Sequence, residues 1–147
     1  MHGGEQENGI RAGTLAVHNI VGFGKAAELA LARQNECTQR LLQIDATARA
    51  LFAEEDCLEL LGDVHSHIPG LLSVIVHNSM FDNERFIQKV SNQYAVSSGS
   101  ACTAGEPSHV LQAIGRSDET SRVLRISLSE ASSIDDVRRL IELLKNR

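Results

Sequence analysis

One stretch of the chain, YAVSSGSACTAGEPSHVL at residues 94–111, presents a single thiol among serine, glycine, alanine and threonine. The thiolate is the attacking form of cysteine, and it must be able to reach its target. Gly99 and Ser100, just before Cys102, permit backbone angles and motion that bulkier residues resist. Glu106 is the nearest charge in sequence and does not favour a thiolate; His109, seven residues on, could approach after a turn. Local composition leaves two readings open: a mobile, presented nucleophile, or a small cysteine buried in a loop. Cys37, in a helical pattern, and Cys57, near a helix end, read as plain small residues. Three cysteines at these spacings fit neither a zinc site nor a disulfide framework.

Three other groups of residues could carry chemistry. In RAGT, residues 11–14, a glycine, the Thr14 hydroxyl and backbone N–H groups near a helix start could hold a phosphate, although glycine clusters also mark ordinary turns. In VLRISLS, period-two alternation turns Leu124, Ile126 and Leu128 to the core and Arg125 and Ser127 the other way. A guanidinium fork so placed suits a carboxylate, which it binds through two parallel hydrogen bonds; a solvated surface arginine is the alternative. His65 and His67 in HSH would share one side of a strand, but no third ligand lies near them in sequence, so no metal site is expected.

The elements that must position these residues follow from pattern. Apolar residues at three-to-four spacing predict a helix over 19–55, with Asn19 a candidate cap and a possible break near Asn35. LLSVIV, YAVSSG and RVLRISLS read as strands, and CLELLGDVHSHIPG holds strand-like pieces. NERFIQKVSN and PSHVLQAIG read as short helices, the second opened by Pro107 and stopped by Gly115. SIDDVRRLIELLKNR is a terminal helix with Ser133 as cap and Asp135 and Asp136 at its positive end. Helices and strands alternate, so the class is α/β. The first fourteen residues are loop chemistry with no strand before them, as though the chain begins partway through a larger fold.

Composition narrows the function classes. The 147 residues carry a formal net charge of −5, with lysine and arginine scattered and tryptophan absent. A nucleic-acid binder would show a basic stripe or a stacking platform, so no nucleic-acid partner is expected. No apolar run approaches the roughly 20 residues of a membrane span. MHGGEQENG lacks a signal pattern, and a soluble, cytoplasmic protein is expected.

HGGEQENGIRAGT, HNIVGFGKA, YAVSSGSACTAGEPSHVLQAIG and LRISLS occur in an order and spacing that resemble the C-terminal part of the cysteine desulfurases, of the NifS/IscS-like, iron–sulfur-assembly type. These are pyridoxal-phosphate enzymes of fold type I in the class V aminotransferase group. The resemblance covers nearly the whole chain, and SSGSAC is its most specific motif. It implies a small α/β domain with a mixed sheet packed by helices and preceded by a long linking helix. Residues 1–33 would be the tail of the large cofactor domain and the start of that helix; residues 34–147 would be the small domain. It further implies pyridoxal-phosphate-dependent removal of sulfur from L-cysteine, giving L-alanine and a persulfide on Cys102. The persulfide would pass to an acceptor protein, such as an iron–sulfur scaffold or a tRNA-thiolation enzyme. Arg125 matches the family's substrate-carboxylate arginine. Thr14 matches the threonine that reaches the cofactor phosphate of the neighbouring subunit in the homodimer.

The chain also departs from the family pattern. The Ser-x-His-Lys stretch with the Schiff-base lysine is missing, as are the aspartate and histidine that hold the pyridine ring. The loop after Cys102 is shorter than in many relatives, Ser129 and Glu130 follow SL where glycine is common, and the terminal helix ends early. The resemblance therefore implies roughly the last two-fifths of the enzyme, inactive by itself, with an apolar helix stripe prone to self-association. A stand-alone sulfur-relay module carrying persulfide on Cys102 is the alternative, and a lyase acting on selenocysteine or cysteine sulfinate a third reading.

Overall fold

A computed structural model of the chain describes residues 2–99 and 108–146. Cys102, the expected nucleophile, and Pro107, the expected helix opener, lie outside the described residues. Internal contacts divide the chain into two compact units, Met1–Cys37 and Thr38–Arg147.

The first unit is a turn-rich segment followed by the opening of helix α1, Val17–Ala53. Glu7 and Asn8 adopt left-handed backbone angles, and Gly9 N–H closes a turn on the Glu5 carbonyl at 3.3 Å. The expected cap at Asn19 is replaced by an earlier start, because Asn19 and Ile20 both donate to the Ala16 carbonyl and so close the first turn upstream. The helix is unbroken at Asn35, where a break was considered. Val21, Phe23 and Leu31 are exposed.

The second unit contains the sheet. Strands β1 (Leu58–Leu61), β2 (Leu71–Val76) and β3 (Val123–Ser127) pair in the order β1-β2-β3, both pairings antiparallel. The mixed sheet expected from the sequence is thus corrected, among the described residues, to an antiparallel one: β2 follows β1 as its hairpin partner and β3 returns along β2. Helices α2 (Asn83–Val90), α3 (His109–Ala113) and α4 (Ile134–Lys145) complete the unit, with a 3₁₀ segment Ser117–Arg122 leading into β3.

Alternation sorts the sheet into two faces. Leu72, Val74 and Val76 of β2 join Leu124 and Ile126 of β3, Phe52 of α1, Phe86 of α2, and Val137, Leu140 and Leu144 of α4 in the main core. On the opposite face, among the described residues, Ile75 and Val123 meet a small cap, Leu111 of α3 with Leu61 beside it. Arg125 and Ser127 of β3 share that face by alternation.

Local chemistry ends the helices where the pattern predicts. Ser133 Oγ accepts from Asp136 N–H at 3.1 Å and donates to its carboxylate at 2.6 Å, capping α4. Ser108 Oγ accepts from Leu111 N–H at 3.3 Å at the start of α3. At its end Gly115, with φ of +74°, donates to Gln112 O, and Arg116 donates to Leu111 O at 2.7 Å. That pair of bonds needs a left-handed residue at Gly115.

Candidate active site

Arg125 lies on β3, between buried Leu124 and Ile126, and is exposed on the face opposite the main core. Ser73 of β2 is its cross-strand partner. On the open edge of β3, Ser97 forms a two-way backbone pair with Arg125: Ser97 N–H donates to Arg125 O at 3.0 Å and Arg125 N–H to Ser97 O at 2.6 Å. Arg125 Nε also donates to Ser97 Oγ at 3.1 Å. No carboxylate pairs with Arg125 among the described residues. The expected strand over YAVSSG reduces to this single bridge. Gln93 and Tyr94 still turn back to the Val90 carbonyl, so the segment reaches the sheet edge only at Ser97.

Thr14 stands in the first unit, exposed, outside regular secondary structure just before α1. Its neighbour Gly13 donates to Gln6 Oε1 at 3.1 Å, and Arg11 Nη1 donates to Gly13 O at 2.9 Å. The Thr14 hydroxyl makes no hydrogen bond among the described residues. A pyridoxal group also needs a lysine amine. Lys25 pairs with Glu28 at 2.8 Å and Lys145 with Glu55 at 2.9 Å, while Lys89 closes α2. Two of the three lysines are thus engaged in ion pairs.

HSH is not on a strand. Asp63 Oδ1 accepts from the N–H groups of both His65 and Ser66, which bends the chain into a turn. His65 is exposed, whereas His67 Nε2 donates to Asp45 Oδ2 at 2.9 Å. No cluster of three metal-ligating residues occurs among the described residues. The sequence reading missed Asp45 altogether. This carboxylate, 3% exposed, also accepts from Arg49 Nε at 2.9 Å and from Gly70 N–H at 2.8 Å. Burial pushes its pKa up, but the bonds from Gly70, His67 and Arg49 outweigh burial and hold it below the ordinary carboxylate range. Asp45 thereby ties the loop before β2 to α1. An acidic residue inside an apolar helical stretch was the available signal.

Farther along the sheet, Glu59 of β1 bridges His77 at 2.9 Å and Arg116, and Arg116 also meets Glu119 at 3.3 Å. These ion pairs fasten the end of α3 to β1. Cys57 packs partly against the core and its carbonyl accepts from His77 N–H, as a space-filling residue would. Among the described residues no helix is long and apolar enough to cross a membrane.

Comparison with known proteins shows the family and the fold. The model of the family "Aminotransferase class-V" covers residues 2–140. The cysteine desulfurase IscS of Ruthia magnifica is 37% identical over 150 residues, spanning 100% of this chain and 36% of that protein. The cysteine desulfurase IscS of Pseudomonas aeruginosa is 43% identical over 124 residues, 81% of this chain and 29% of that protein. The chain thus spans about a third of the length of these curated relatives. The X-ray structure of a NifS-like protein from Rickettsia africae superposes with a TM-score of 0.78 at 24% identity, over 99% of this chain and 38% of that one, a likeness of fold. By the match over residues 2–140, the chain belongs to the class-V aminotransferase family.

Proposed function

We propose that this chain is the C-terminal portion of a cysteine desulfurase. In that reading residues 1–33 end the large cofactor domain and begin the linking helix, and residues 34–147 are the small domain. Arg125 binds the carboxylate of L-cysteine. Cys102 attacks the substrate sulfur; the carbon–sulfur bond breaks, alanine leaves, and the sulfur remains as a persulfide for an acceptor protein of iron–sulfur assembly or tRNA thiolation. Pyridoxal phosphate, when bound, supplies the electron sink for that bond cleavage. Thr14 donates to its phosphate from the neighbouring subunit of a cytoplasmic homodimer.

The observation that carries the proposal is the setting of Arg125: exposed on β3, with Nε donating to Ser97 Oγ and no carboxylate paired with it among the described residues. Serine hydroxyls beside a guanidinium suit a small zwitterionic substrate. The lack of a Ser-x-His-Lys stretch, with Lys25 and Lys145 held in ion pairs to Glu28 and Glu55, favours the second reading, a sulfur relay that receives persulfide on Cys102 without making it.

A sulfide-release assay with L-cysteine, pyridoxal phosphate and a thiol reductant tests the proposal. The isolated chain is expected to give no steady turnover, whereas a complete chain containing it turns over and loses activity on Cys102→Ser. Steady release by the isolated chain, or an unimpaired serine variant, contradicts it.

A further inference from the structure

The bond between Ser97 and Arg125 does more than close a sheet edge. β3 is the outer strand, and Ser97 is the residue bridged to it across that edge. Two backbone bonds, at 3.0 Å and 2.6 Å, hold the Ser97 backbone against the root of Arg125. They place Ser97 Oγ 3.1 Å from Nε. An arginine side chain carries about 2 kcal/mol of rotamer entropy, and its fork binds best when held in advance. An exposed guanidinium without such a restraint would sample many orientations. Anchored at Nε, it can offer only its outer pair of amino groups, the end-on mode of carboxylate recognition.

We infer that Ser97 is a positioning residue for substrate-carboxylate recognition: its hydroxyl holds the Arg125 fork and enforces end-on binding. The inference rests on the reading of Arg125 as the carboxylate binder. Ser97 is half-buried, and alanine preserves both backbone bonds, so Ser97→Ala removes the side-chain bond alone.

The test uses the ¹⁵N-labelled chain, with the Arg125 Nε–H signal assigned by its loss in Arg125→Ala. Propionate is the carboxylate probe. Ser97→Ala is expected to speed exchange of the Arg125 Nε proton with water about fivefold, in line with loss of one hydrogen bond. It should also reduce the response of the Arg125 amino-group signals to propionate at least about twofold. Ser97→Thr, which keeps the hydroxyl, restores both. Backbone signals of Val74 and Ile75 in β2 should not move, which separates positioning from unfolding. Unchanged exchange in Ser97→Ala overturns the inference, as does faster exchange with an unchanged propionate response. If Arg125 in the unsubstituted chain ignores propionate altogether, the reading of Arg125 fails first, and the inference falls with it.

Discussion

Gly70→Ala probes the junction that sets β2 in place, and its cost can be worked from two separate terms. Gly70 has φ of +80°, in the left-handed region, where an L side chain costs about 1 kcal/mol. A Cβ there would also lie 2.8 Å from Leu128 O and 2.8 Å from Leu41 Cδ1. The leucine methyl can yield. The carbonyl belongs to a residue whose own N–H donates to Gly70 O at 2.7 Å, so moving it disturbs that bond. The Gly70 N–H that Asp45 accepts, at 2.8 Å, would shift as well. Together these put Gly70→Ala at about 2–4 kcal/mol. Gly62→Ala supplies the control: φ is +98°, yet nothing lies within 4 Å of its would-be Cβ, so only the backbone term of about 1 kcal/mol applies. Urea unfolding of both variants, read as midpoints at constant slope, isolates the steric term. A Gly70→Ala loss no larger than that of Gly62→Ala would refute the reasoning.

The same junction yields further predictions. Asp45→Asn should cost about 2–3 kcal/mol at neutral pH, since a buried carboxylate with three donors loses its charge. Because the Asp45 pKa is depressed in the folded chain, its contribution is full above the unfolded value near 4 and fades as pH falls through the lower folded value. Urea midpoints of the two proteins should therefore converge in acid, and a difference that is constant down to pH 2 counts against the Asp45 account.

Much of this was legible in the amino-acid order because it is written in local periodicity. LLSVIV, VLRIS and IDDVRRLIELLK carry their own apolar pattern and caps, so β2, β3 and α4 could be read from neighbours alone. Alternation likewise predicted Arg125 outward between Leu124 and Ile126. What escaped depends on partners distant in sequence. Asp45 meets Gly70 and His67 across the fold, so an acid on a helix looked unremarkable and HSH looked like a strand. Ser97 finds Arg125 twenty-eight residues away, which no window of neighbouring residues shows. Sheet direction escaped for the same reason, since pairing is set by connections rather than by the strands' own residues.

Peptide-resolved mass spectrometry of the chain after exposure to a small-molecule persulfide donor asks most directly whether Cys102 is the sulfur carrier. Cys37 and Cys57 serve as internal controls in the same molecule. The account predicts one added sulfur atom on Cys102, removable by reductant, at several times the occupancy of either control. Equal labelling of the three cysteines, or an unlabelled Cys102, would contradict it.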